Sequence, residues 1–416
     1  MTLLKITALL LSLAFAATGV FAGCGIDAGS VRILSNDFQA LNAVIAAAKE
    51  CAGGGVDVTS NATTTHAELQ VPALSANPAE YTVKILANDS IVPLLNKGLL
   101  RPLDDLVAKY GQDLEPSQLI KINGKVMAIA FMANAQHLTY RTDLLKAAGV
   151  APPKTYEEVL AAAKVLREKG VIETPLGLNL KPGWDLGEEF VIMYLGYGGD
   201  LFAPDSAELA LDPAKATAAL EMLKALSAYM PTDFNTFDTN GLSPLYEQGK
   251  VAMMNMWGSR AATYLANDAL PAVAANTVFA AAPTVGGGTK PATTVWWDGF
   301  SIAKNISDVD ADAEAEAEAS FRAMLHGASA DMAKASPDLA VWLIKGIEPG
   351  PISIGVIASA QAGAPPYPMV PQIGVLHTAL GTELADFMAG KESAEKALSD
   401  VKAAYDTSAR EQGLLQ

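Results

Sequence analysis

Three short apolar runs, at residues 31–34, 56–59 and 83–86, each end on polar residues and alternate with stretches of helical spacing at 41–49 and 67–74. This alternation narrows the fold more than any other feature of the chain. Strand, helix and strand in succession make βαβ units, and repeated units predict an α/β fold with a largely parallel sheet. Ligand crevices in such sheets lie beyond the carboxyl ends of the strands. The residues that fall there are Asn36 and Asp37 after the first strand, Asn61 after the second, and Asp89 and Ser90 after the third. Each is also an ordinary turn residue, since short polar side chains bond their own backbone where a strand stops.

The chain has 416 residues, half of them hydrophobic and 18 % charged, enough for two domains of ordinary size. Lys5, an apolar run at 6–15 and small residues up to Ala22 read as a secretory signal peptide over 1–22, leaving Gly23 as the mature N-terminus. The mature chain then carries 28 Lys+Arg against 45 Asp+Glu, a formal charge of −17. Such a surface repels nucleic acid and anionic lipid, which excludes them as expected partners. Cys24 and Cys51 are the only cysteines. An even count in an oxidising compartment favours a disulfide between them, worth about 3 kcal/mol in the chain-entropy account. The alternative is a lipoprotein box at Phe21-Ala22-Gly23-Cys24, with Cys24 acylated and Cys51 a buried thiol.

Several longer segments carry a resemblance. INGKVMAIAFMANAQHLTYRTDLLKAAGVAPPKTYEEVLAAAKVLREKG, from Ile122 to Gly170, is similar to the crossover between lobes in the extracellular solute-binding proteins of ABC importers, of the maltose-binding type. IVPLLNKGLLRPLDDLV after Ser90 resembles that family's helix, glycine turn and Pro-Leu-Asp-Asp segment. Gly249-Lys250-Val251-Ala252-Met253 resembles its Gly-Lys-x-Ala-Met strand, Trp296-Trp297-Asp298-Gly299-Phe300 its return crossover, and the run from Gly390 to Leu398 the approach to its last helix. The resemblance implies a two-lobed periplasmic binding protein fold of class II type. Its discontinuous lobes would be 23–131 with 303–345, and 132–302 with 346–416, joined by hinge crossovers.

The same resemblance directs attention to particular side chains. Asp89 stands where sugar-binding members contact ligand hydroxyls, and Asn134 and Gln136 stand at the crossover. Trp257 would be delivered to the cleft by its strand, and the return crossover would present Trp297, Asp298 and Gly299, with Trp296 left for packing. Trp184, in a loop bracketed by Pro182 and Gly183, reads as an indole facing a groove. Arg260 is the nearby base, either an anchor for an acidic ligand or part of a solvated helix face. Carboxylates and amides bond paired hydroxyls while indole faces cover C–H surface, so the set suits a sugar or polyol.

No zinc-ligand spacing joins His66, His137, His326 and His377, and neither a phosphate-binding glycine loop nor a nucleophile elbow occurs. No metal, cofactor or catalysis is expected, although a glycosidase's paired carboxylates cannot be recognised before folding. The resemblance thus implies a periplasmic monomer that captures a sugar or polyol by hinge closure and passes it to a membrane permease. The rival on the same fold is a receptor for an anionic or amino-bearing solute. The acidic run at 311–319 reads as a surface helix.

Overall fold

The computed structural model describes residues 24–266 and 269–416; the expected signal peptide at 1–22 lies outside the described residues. The three expected strands appear as β1 (Gly29–Ser35), β2 (Val56–Ala62) and β3 (Val83–Ala87), paired in parallel with β1 between the others. Helix Gln39–Lys49 follows β1 and turns Ala40, Leu41, Val44, Ile45 and Ala48 inward, the helical spacing of its apolar residues selecting the buried face. Helix His66–Ser75 follows β2.

The parallel arrangement stops at β3. The chain continues through β4 (Leu119–Ile122) and β5 (Lys125–Asn134), crosses at Ala135, and enters a second sheet as β6 (Gln136–Arg141). That smaller sheet also holds β7 (Leu176–Gly177), β8 (Met253–Trp257) and β9 (Thr277–Ala280), in the order β7-β8-β6-β9. The chain then returns as β10 (Trp296–Ile302), inserted antiparallel between β3 and β5, and β11 (Val341–Trp342) completes the large sheet on the far side of β5. The expectation of a largely parallel sheet is therefore corrected to a mixed one. A strand that comes back beside the strand that left must run against it, and strand spacing in the sequence does not reveal that insertion.

Both sheets are covered by helices. Helix Asp310–Gly327 packs on β1 and on helix Gln39–Lys49. Its Phe321 lies 5.7 Å from Phe300 of β10, both rings fully buried, each contributing about 1.5–3 kcal/mol of hydrophobic burial. The acidic run forms the start of this helix, and Glu314, Glu316 and Glu318 pair with Arg101, Arg32 and Lys109. Cys24 and Cys51 form a disulfide with their Cα atoms 5.3 Å apart. Among the described residues no helix is long and apolar enough to cross a membrane.

One local expectation fails. Trp184 is not in a loop; it is the first residue of helix Trp184–Gly196. Pro182 and Gly183 end the preceding segment, and Gly183, at φ 107°, makes the turn from which the helix starts.

Candidate functional site

A cavity of about 380 Å³ lies where the polar ends of the large sheet meet the small-sheet side of the molecule. Its size falls within the range usual for small-molecule sites. The large-sheet side supplies Asn36, Phe38, His66, Glu68, Asp89 and Ser90, with Asn134 from the end of β5 and Trp296 and Asp298 from β10. The opposite side supplies Trp184, Asp185, Asp238, Asn240, Trp257 and Arg260.

Three indoles form one wall. Trp184 lies 6.1 Å from Trp257 and 5.7 Å from Trp296, and Trp257 meets Trp296 edge-on at 5.5 Å. Trp184 is still 40 % exposed, so its ring offers surface to the cleft. Behind the wall, His377 stacks on Trp184 at 5.1 Å, and Tyr367 lies 4.1 Å from Trp296. His377 Nε2 is 2.7 Å from the Trp184 carbonyl, which can only accept, so that nitrogen carries the proton. Nδ1 then accepts from the Tyr367 hydroxyl at 2.7 Å. Burial lowers the His377 pKa, in keeping with a neutral ring. The Trp296 indole is fixed by donation to Thr294 Oγ1 at 2.8 Å, and Thr294 in turn donates to Glu188 at 3.1 Å.

The polar groups face this wall. Trp184 Nε1 donates to Asp89 Oδ2 at 3.1 Å, joining one side of the cleft to the other, while Asp89 Oδ1 accepts from the Ser90 N–H at 2.6 Å. Asp298 is pushed up to about 7, first by burial and then by the charge of Asp89, against the pull of Arg260 and Lys84. Asp185 rises to about 6 through burial and the neighbouring Asp238. The Arg260 guanidinium lies 4.8 Å over the Phe38 ring and donates to Asn240 Oδ1 at 3.2 Å. Burial lowers the Arg260 pKa, and among the described residues it forms no ion pair. Arg260 thus borders the cavity.

Of the residues singled out in the sequence, Asn36, Asp89, Ser90, Asn134, Trp184, Trp257, Arg260 and Asp298 line the cavity. Asn134 also holds the backbone. Its Oδ1 accepts from the N–H groups of Ala135 at 3.1 Å and Ser259 at 3.2 Å, and its Nδ2 donates to Ser259 Oγ at 3.1 Å, which clamps the crossover to the end of β8. Ser90 Oγ accepts from the Ala87 N–H at 2.8 Å, the turn chemistry of a strand end.

Five expected residues lie elsewhere. Asp37 is exposed and accepts from Asn42 Nδ2, serving the start of helix Gln39–Lys49. Asn61 donates to the Tyr81 hydroxyl beside β2. Gln136 accepts from Asn255 Nδ2 across the β6–β8 pair, inside the small-sheet side. Trp297 points away from the cavity, which receives Trp296 instead; the Trp297 N–H donates to Asn88 Oδ1. Side chains two apart share a face of a strand, so Trp296 accompanies Asp298. Gly299 sits at a register shift against β5, where a Cβ would come within 2.3 Å of the Ile129 carbonyl oxygen; its requirement is backbone packing rather than ligand contact.

Phe38, His66, Glu68, Asp185, Asp238 and Asn240 line the cavity without having been expected there. Asp238 carries the signal of a helix cap and is one, accepting from the N–H groups of Asn240 and Gly241, which hides its place at the cavity. Among the described residues, Cys24, Cys51 and His326 form the single grouping with metal-ligand proximity, and its sulfurs are joined in the disulfide.

Curated relatives include a protein of Deinococcus radiodurans described as a probable ABC transporter-binding protein, 27 % identical over 190 residues, covering 44 % of each chain. A probable sugar-binding periplasmic protein of Rhizobium meliloti is 27 % identical over 193 residues, covering 44 % of this chain and 45 % of its own. The matched region thus spans about half the length of these relatives. Solved structures with the same fold include a maltose-bound T. maritima protein (TM-score 0.75, 18 % identity, 91 % of this chain and 100 % of that one). An Agrobacterium radiobacter solute-binding protein in complex with ribitol gives a TM-score of 0.76 at 19 % identity, over 92 % and 99 % of the two chains. An Agrobacterium vitis protein with bound D-mannitol gives 0.74 at 19 % identity, over 93 % and 99 %. The family model for bacterial extracellular solute-binding protein matches residues 34–324, and the chain belongs to that family.

Proposed function

We propose that this protein is the periplasmic receptor subunit of an ABC importer and that it captures a neutral sugar or polyol in the cavity. The observation that carries the reading is that one cavity of about 380 Å³ is lined both by three clustered indoles and by the carboxyl groups of Asp89 and Asp298. Indole faces cover the C–H surface of a sugar while carboxylates accept from its hydroxyls. The curated and structural relatives described as sugar-binding or holding maltose, ribitol or mannitol support the same class.

The mechanism in this reading is hinge closure at the two crossovers, Ala135 and the segment between β9 and β10. Ligand contacts from both sides favour the closed form, and only the difference in affinity between open and closed forms drives the change. The closed monomer then docks on the permease without chemical change to the solute. Arg260, with no ion-pair partner among the described residues, supports a second reading in which the solute carries a carboxylate or phosphate.

Thermal unfolding against a panel of neutral sugars, polyols, amino acids and organic acids separates the two. A ligand at one hundred times its dissociation constant stabilises by about 2.7 kcal/mol. Shifts with neutral sugars or polyols, insensitive to salt and without turnover, are expected; shifts with charged solutes alone would overturn the carbohydrate reading.

A further inference from the structure

Below the carboxylate side of the cavity lies a basic pair that indole stacking and carboxylate bonding leave unused. Lys84 of β3 has no exposed surface, and its Nζ is 2.8 Å from His66 Nδ1 and 2.6 Å from the Ile85 carbonyl oxygen. His66 opens helix His66–Ser75 and lines the cavity. All the hydrogens of an ammonium group are donors, so a charged Lys84 leaves Nδ1 only the role of acceptor. A neutral imidazole that accepts at one nitrogen carries its proton on the other. That other nitrogen is Nε2, which has no hydrogen-bond partner among the described residues.

We propose that His66 is a ligand-binding residue, a neutral Nε2–H donor to a hydroxyl oxygen of the bound sugar or polyol, and that Lys84 is the positioning residue that fixes its tautomer. The proposal rests on the carbohydrate reading of the cavity. Its logic is complementarity. A carboxylate only accepts, so at Asp89 and Glu68 it uses the hydrogens of sugar hydroxyls, while the oxygens of those hydroxyls need donors. The indole N–H of Trp184 is already given to Asp89, and that of Trp296 to Thr294. His66 supplies a donor on the side where carboxylates dominate. Burial and then the charge of Lys84 hold the His66 pKa down at about 3, so the ring stays neutral. Burial lowers Lys84 to about 7 against the pull of Asp89 and Asp298, and below that pH it keeps the charge that orients the ring.

Two measurements test this. Imidazole nitrogen NMR below pH 7, where Lys84 is charged, is expected to show His66 Nδ1 unprotonated and Nε2 protonated in the unmutated protein, and a mixture of tautomers in Lys84→Met. A protonated Nδ1 in the unmutated protein would overturn the assignment. Calorimetric titration with D-mannitol, ribitol and maltose is expected to show about tenfold weaker binding in His66→Ala and recovery in His66→Gln, whose amide can donate from a similar position. Binding by His66→Ala equal to that of the unmutated protein would overturn the proposal and leave the carbohydrate reading intact. If the unmutated protein binds none of the three, the carbohydrate reading fails and the donor role with it. Should Lys84→Met not fold, the unmutated tautomer and the two His66 variants still decide.

Discussion

Asp298 is held in an environment that its charge disfavours, and replacing it by Asn should stabilise the empty protein while weakening capture. Burial and Asp89 raise its pKa from 3.8 to about 7. A shift of roughly three units corresponds to about 4 kcal/mol, at 1.36 kcal/mol per unit. The side chain is half-buried and borders the cavity, so solvent screens part of this and leaves about 2 kcal/mol. The sign follows from proton binding. A carboxyl with a raised folded pKa holds its proton more tightly when folded, so the penalty is absent below 3.8, grows as pH rises, and is complete above about 7. Asn has no charge to desolvate. The variant should therefore melt about 4–8 °C higher at about pH 8, taking 2–4 °C per kcal/mol for a unit of about 200 residues, with a smaller gain at about pH 5. The same variant should lose affinity for sugars, the usual exchange between stability and a functional site. Melting curves at the two pH values check both directions. A gain that shrinks with rising pH, or a loss of stability at both, would refute the reasoning.

Three further outcomes are expected. Trp296→Ala should weaken sugar binding at least about tenfold, whereas Trp297→Phe should leave it within about twofold; calorimetric titration of both variants distinguishes the two neighbours. Gly299→Ala should lower stability by about 1–3 kcal/mol, measured by urea unfolding, because its Cβ meets the Ile129 carbonyl oxygen rather than a flexible side chain. Cys51→Ser should cost about 3 kcal/mol in the same assay and leave ligand affinity unchanged, since the disulfide with Cys24 lies outside the cavity lining.

Three strands of the large sheet were legible because each run is short and bounded by residues that end strands; β1, β2 and β3 extend the runs at 31–34, 56–59 and 83–86 by at most three residues. The polar residues after them divided according to local geometry. Asn36, Asp89 and Ser90 reach the cavity, while Asp37 is taken by Asn42 in the helix that follows the same turn and Asn61 by Tyr81 twenty positions on. At the return crossover, the period of two in a strand was sufficient to place Trp296 beside Asp298, and pairing Trp297 with Asp298 went against it. Trp184 illustrates another limit. Pro182 and Gly183 mark a break, yet a break also begins a helix, and only the packing of Trp184–Gly196 decides which. His66 stayed hidden because its partner, Lys84, is eighteen positions away on a buried strand.

The most direct measurement is the crystal structure of the complex with whichever neutral solute gives the largest melting shift. The solute is expected between the Trp184, Trp257 and Trp296 wall and the carboxylates of Asp89 and Asp298, with contacts from both sides of the cleft. A solute bound outside that cavity, or held by Arg260 through an acidic group with the indole wall untouched, would contradict the proposed mode of capture.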